Sequence, residues 1–264
     1  MIVPEGVCRD HLANPIMMTP TPQLKADTES DLAARYRTVC DEILESERQY
    51  GRETGPVTLV AVSKTHPADA VRALSSLGHR EFAENKIQEA VEKISQLSDI
   101  PDLCWHFIGS IQSNKCREIA RHFDWVHSVD RIKIARRLSE MRSKEDAPLN
   151  VLIQVNLQNE ITKSGVDPVA LESLAKEVTQ FPNIRLRGLM AIPEPEEDFD
   201  AQRRIFGSLR EMQSRLNSQG FDLDVLSMGM TTDMRAAIAE GATHVRVGTA
   251  IFGPRAYPDP STAS

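Results

Sequence analysis

Short apolar runs recur along most of the chain, at residues 57–63, 80–83, 105–109, 125–128, 150–156, 185–192, 224–228 and 244–248. The first of them reads as a strand buried on both faces. Between the runs lie segments whose apolar positions return every three or four residues, at 67–77, 85–96, 114–122, 131–142, 168–180, 200–217 and 232–240. That spacing predicts helices with one buried face. Strands alternating with helices predict parallel pairing, because a parallel connection must travel back along the sheet. Eight such units favour an α/β fold closed into a single (β/α)8 barrel of the TIM type over an open doubly wound sheet. No GxGxxG follows any of the runs, which argues further against a dinucleotide-binding fold.

Ahead of the first strand, Leu32, Tyr36, Val39, Cys40, Ile43 and Leu44 share one helical face and the pattern stops at Gly51, so an extra amino-terminal helix is expected over 31–51. Residues 1–30 are rich in Pro, Thr and Asp without an apolar period and read as a flexible extension. The last strand ends near residue 248, leaving no length for a second domain. Residues 31–264 are therefore expected to form one barrel domain.

Composition narrows the function classes. Of 264 residues 41% are hydrophobic, ample for a continuous core, and the net charge is −7, whereas a nonspecific nucleic-acid binder carries a basic excess. Cys8, Cys40, Cys104 and Cys116 form neither a CxxC pair nor a dense disulfide pattern, which suits reduced thiols in the cytoplasm. The seven histidines lack metal-motif spacing, so no metal is expected. Neither a secretory leader nor eighteen consecutive apolar residues occurs, and no membrane partner is expected.

Barrels of this class build their sites at the carboxyl ends of the strands, with phosphate on the loops after strands seven and eight. The seventh strand runs into Ser227-Met-Gly-Met-Thr-Thr-Asp233 and the eighth into Arg246-Val-Gly-Thr-Ala-Ile-Phe-Gly253. Gly248 followed by Thr249 at a helical start offers backbone N–H groups and a hydroxyl to an anion. A plainer reading gives Gly248 a tight turn and Thr249 a helix cap. Closure sets strand eight beside strand one, so Lys64 at the end of strand one opens onto the same rim. A strand-end lysine ordinarily extends its stem to water. An amine beside a phosphate cradle instead suggests a cofactor with both phosphate and aldehyde, held as an imine, and pyridoxal 5′-phosphate meets that description. Desolvation and the nearby Arg246 would lower the lysine pKa. If Arg246 faces the pyridine nitrogen it weakens the ring as an electron sink; a salt bridge to a carboxylate would suit it equally.

Val62-Ser-Lys64, Phe82-Ala-Glu-Asn85, Trp105-His-Phe-Ile-Gly109, Gly188-Leu-Met-Ala-Ile-Pro193, Leu226-Ser-Met-Gly-Met230 and Val245-Arg-Val-Gly-Thr-Ala-Ile-Phe-Gly253 together resemble the pyridoxal phosphate homeostasis proteins. The resemblance implies a barrel like the amino-terminal domain of alanine racemase, with pyridoxal phosphate on Lys64. It implies a cofactor-binding set of Lys64, Asn85, Ser227, Met228, Arg246, Gly248 and Thr249, in which Ser227, Gly248 and Thr249 meet the phosphate and Arg246 the ring nitrogen. Ala83, Lys86, Ser110 and Thr231-Thr232 depart from the family's usual residues.

The resemblance implies a carrier or regulator of the vitamin B6 pool and of amino- and keto-acid balance, acting in the cytoplasm without robust catalysis. Apoenzymes that use the cofactor are the implied partners, and a monomer is expected. The alternative is an amino acid racemase, which needs an acid or base on each face of the ring. In alanine racemase one of these is a tyrosine from a second domain; here the tyrosines are Tyr36, Tyr50 and Tyr257, in the first helix and the tail. Trp105 and His106 read as core packing with a satisfied imidazole, and the acidic run 194–200 as a solvated loop entering a helix.

Overall fold

The computed structural model describes residues 29–158 and 164–254 of the chain. Eight parallel strands close into a barrel in sequence order: β1 (Thr58–Val62), β2 (Glu81–Glu84), β3 (Cys104–Phe107), β4 (Trp125–Val129), β5 (Leu149–Gln154), β6 (Ile184–Met190), β7 (Val225–Ser227) and β8 (His244–Val247). Helices α2 (Ala68–Ser76), α3 (Ile87–Gln96), α4 (Cys116–His122), α5 (Ile132–Met141), α6 (Leu171–Val178), α7 (Phe199–Ser218), α8 (Met234–Ala239) and α9 (Thr249–Phe252) follow the strands in turn. The predicted barrel is present. The second run begins one residue later than its pattern suggests, because Arg80 belongs to the turn before it and donates to Ser75 O and His79 O, each at 2.8 Å.

The extra helix α1 (Glu29–Gln49) packs against α2, α8 and α9, covering the wall where β1 meets β8. It starts before the predicted Asp31, and the rest of the expected extension lies outside the described residues. Among the described residues no helix is long and apolar enough to cross a membrane.

Strand alternation sends successive side chains to opposite sides of the barrel wall. One series, including Leu59, Ala61, Phe82, Trp105, Phe107, Val126, Leu226, Val245 and Val247, faces outward and joins the helices in the main apolar core. Burying one such phenylalanine ring stabilises the fold by roughly 1.5–3 kcal/mol. The other series faces the barrel axis. There Val60, Val62 and Ala83 form one small cluster with Ile108, and Leu152, Met190 and Val225 another with Trp125. Branched apolar residues usually fill such an interior. This one also holds His106, His127, Ser227, His244 and Arg246, all buried.

Candidate functional site

Lys64 follows Val60 and Val62 in the inward series, beyond the carboxyl end of β1, and is half-buried. The turn that carries it is braced from outside the wall. Lys93 on α3 donates to Ser63 O at 2.8 Å and reaches Glu84 Oε1 at 2.5 Å, and Ser63 Oγ donates to the same carboxylate at 2.7 Å. Thr65, the next residue, adopts the left-handed conformation at φ 67°, and its N–H donates to Glu89 on α3. Burial pushes the Glu84 carboxyl up despite the pull of Lys93.

β1 pairs with β8 in parallel register, Val60 opposite Arg246 and Ala61 opposite Val247. The pairing carries on to Gly248, where an added Cβ would lie 3.1 Å from Val62 O and 3.4 Å from Val62 Cβ. Lys64 and the Gly248–Thr249 turn therefore stand side by side on one rim. Thr249 is exposed and opens α9, whose first N–H groups have no preceding turn to accept them. Asn85 follows Ala83 in the inward series at the end of β2, beside β1. Its backbone is held close to the next strand, because only a glycine at 109 fits: an added Cβ there would come within 2.1 Å of Asn85 O.

Arg246 rises from β8 inside the barrel and is 3% exposed. Its Nη1 donates to Ser227 Oγ at 2.7 Å and its Nη2 to Ala191 O at 3.0 Å, which anchors the guanidinium at the carboxyl ends of β6 and β7. Its partners are a hydroxyl and a carbonyl, with Asp233 acting on it through space. Burial lowers its pKa to about 10, partly offset by Asp233, so it stays cationic at neutral pH. Ser227 is fully buried with its Oγ engaged by Arg246 and by His127; what it presents to the mouth is the arginine it holds. Met228 turns its side chain into the outer core, and its N–H donates to His244 O at 3.1 Å. Gly229 (φ +92°) accepts from Arg246 N at 3.0 Å.

Beneath Arg246 runs a set of contacts that sequence reasoning missed. Ser227 Oγ lies 2.8 Å from His127 Nδ1, His127 Nε2 lies 2.8 Å from His106 Nδ1, and His106 Nε2 lies 2.6 Å from Glu81 Oε2. The imidazole of His106 is thus satisfied in the core, as its position on the strand predicts. Burial holds His127 far below its ordinary pKa, and it lowers His244, whose ring centroid is 5.3 Å from that of Trp125, to about 3. Burial raises the Glu81 carboxyl, but hydrogen bonds from His106 and Cys104 outweigh it and the net shift is downward. Glu81, Cys104 and His106 are also the one group among the described residues whose potential metal-ligand atoms lie within 4.8 Å of one another. The His106–Glu81 hydrogen bond accounts for that proximity.

Cys40, Cys104 and Cys116 are free thiols, and Cys8 lies outside the described residues. The acidic run before α7 is exposed, and Asp198 Oδ1 caps the helix by accepting from Ala201 N at 2.7 Å.

The family model described as alanine racemase, N-terminal domain, matches residues 41–256. The chain is 54% identical over 233 residues to the pyridoxal phosphate homeostasis protein of Pseudomonas aeruginosa, covering 88% of this chain and all of that one. It is 46% identical over 230 residues to the protein of the same name from Escherichia coli K12, covering 86% of this chain and 98% of that one. The structure of PipY from Synechococcus elongatus PCC7942 with PLP bound superposes with a TM-score of 0.74 at 37% identity, covering 84% of this chain and all of that one. This chain, a closed barrel with an amine and an anion-ready turn sharing one rim, belongs to the pyridoxal phosphate homeostasis protein family.

Proposed function

We propose that the mouth of the barrel binds pyridoxal 5′-phosphate and that the protein stores and delivers this cofactor within vitamin B6 homeostasis. The observation that carries the reading is the β1–β8 register, which sets Lys64 beside Gly248 and Thr249, with the Arg246 cation held on the inner wall toward β6 and β7. The residues suit the ligand. An added Cβ at position 248 would lie 3.1 Å from Val62 O, so the glycine lets the turn sit close against β1, where its backbone N–H groups could receive a phosphate. Arg246, a permanent donor, would meet the ring nitrogen as an acceptor and so weaken the ring as an electron sink.

Lys64 supplies the covalent link. Its amine would hold the cofactor, whose aldehyde would supply the carbon with which an amine condenses, releasing water. The Ser63–Glu84–Lys93 brace fixes the backbone from which the amine extends. Asn85 would border the ring from β2, Thr249 would offer its hydroxyl to the phosphate, and on the β7 side Ser227 would act through Arg246 and Met228 through its backbone. We assign the protein to the cytoplasm as a monomer that hands its cofactor to apoenzymes. The relatives' shared name and the PLP-bound PipY support the ligand.

Borohydride reduction of protein loaded with pyridoxal phosphate, followed by peptide mass spectrometry, tests the reading. The expected result is one phosphopyridoxyl adduct, on Lys64, absent in Lys64→Ala together with the yellow imine absorbance. No adduct, or an adduct on another lysine, would overturn it.

A further inference from the structure

The contacts below Arg246 connect the mouth of the barrel with its opposite end, since Glu81 is the first residue of β2 and Ser227 the last of β7. Five residues on five strands take part, and the donors can be assigned by elimination. An ionised carboxylate only accepts and a guanidinium only donates. Glu81, 34% exposed at the side chain, therefore accepts from His106 Nε2–H. A neutral His106 then has a bare Nδ1, which accepts from His127 Nε2–H. His127 Nδ1 is in turn an acceptor, and the Ser227 hydroxyl donates to it while its oxygen receives Arg246 Nη1.

The competing arrangement, with His106 an imidazolium, reverses the two upper bonds. His127 Nδ1–H and Arg246 would then both donate to Ser227 Oγ. Among the described residues that oxygen has only those two hydrogen-bond partners, so its own hydrogen would be left buried without an acceptor, which is unfavourable. It would also bury a second cation beneath Arg246, with His106 at 0% exposure. The first arrangement satisfies every group.

We infer that Glu81, His106, His127 and Ser227 form a one-way donor chain, Arg246 to Ser227 to His127 to His106 to Glu81, and that the first three are positioning residues which fix the guanidinium at the ring nitrogen from the far end of the barrel. The functional half of this inference rests on the cofactor reading above; the proton positions do not. Because each link must accept on one side to donate on the other, the carboxylate sets the tautomer of both histidines. The serine is thereby left as an oriented acceptor for the arginine. Hydrogen bonds in such a chain polarise one another in a low-dielectric interior.

Two-bond 1H–15N correlation of the imidazoles in cofactor-free protein at neutral pH reads the chain directly. His106 and His127 should each carry one proton, on Nε2. A proton on Nδ1 of either ring, or two protons on either, would overturn the assignment, and this arm needs neither a variant nor the cofactor. In Glu81→Ala His106 should lose its single tautomer, whereas Glu81→Gln, which keeps an acceptor oxygen, should retain it; an unchanged tautomer in Glu81→Ala refutes the role of the carboxylate. With pyridoxal phosphate bound, Glu81→Ala should shift the absorbance maximum of the imine, and Glu81→Gln should restore the wild-type band. A band unmoved in Glu81→Ala would overturn the positioning role. Absence of any imine in the wild type would instead refute the cofactor reading and leave the tautomer result standing.

Discussion

Lys93 Nζ meets Glu84 Oε1 at 2.5 Å where both side chains are almost completely buried, 4% and 0% exposed. The second carboxylate oxygen, Glu84 Oε2, has no hydrogen-bond partner among the described residues, so the ion pair is the carboxylate's main compensation for leaving water. Removing one member of a buried pair strands the other charge, which costs about 3–5 kcal/mol. Lys93→Ala should therefore lower the unfolding free energy by roughly that amount and release the Ser63 carbonyl beside Lys64. A denaturant titration showing a loss below about 1 kcal/mol would mean that the pair is solvated. Glu84→Leu combined with Lys93→Met should recover much of the stability, because well-packed apolar replacements of a buried pair are often neutral.

Two glycines at the rim separate folding from binding. At Gly109 an added Cβ would sit 2.1 Å from Asn85 O, a backbone atom that cannot swing aside. Gly109→Ala should cost about 1–3 kcal/mol or more and displace Asn85. At Gly248 the nearest atom is Val62 O at 3.1 Å, which a small local shift accommodates. Gly248→Ala should unfold within a few degrees of wild type yet bind pyridoxal phosphate about tenfold more weakly, a loss of about 1.4 kcal/mol. Equal affinities in a fluorescence titration would remove the phosphate from this turn.

The strands and their order were legible because each is a short apolar run bounded by polar turns, and closure then put Lys64 and the Gly248–Thr249 turn on one rim. The donor chain was not legible. His106, His127 and Ser227 lie on β3, β4 and β7, and each reads alone as one polar residue in a core strand; only the register of a closed barrel aligns them. One signal was available for the brace. On α3 the buried face consists of Ile87, Ala90 and Lys93, so the lysine occupies an apolar position of the helical period and requires a buried partner. Arg246 was recognised, but the salt bridge considered for it is replaced by a hydroxyl and a carbonyl.

The interior histidines make stability depend on pH. On unfolding, His127 and His244 regain an ordinary pKa near 6.5, while in the fold burial holds His127 well below that value and His244 at about 3. The unfolded chain thus binds more protons as pH falls through about 6.5, and each histidine removes up to roughly 1.4 kcal/mol per pH unit. For His244 the loss continues down to its folded pKa and then levels off. Glu84 and Asp233, raised by burial, work in the opposite sense at the acidic end. The urea midpoint should fall between about pH 7 and about pH 5, less steeply in His244→Asn. A flat profile in the wild type would mean that these rings are already charged or hydrated in the fold.

Storage and racemisation differ in one required part. A racemase must remove a proton on one face of the cofactor and return it on the other, so a second acid has to stand across the ring from the lysine. The described tyrosines do not supply it. Tyr36 lies on α1, outside the wall, with its hydroxyl 3.4 Å from His79 Nδ1, and burial raises its pKa to about 12. Tyr50 accepts from Arg235 Nε at 2.9 Å at the end of the same helix. The loaded protein should therefore racemise amino acids no faster than free pyridoxal phosphate in a chiral chromatographic assay. Turnover above that background that vanished in Lys64→Ala would mean that a group at this mouth does the work of the second acid, and the carrier reading would fall.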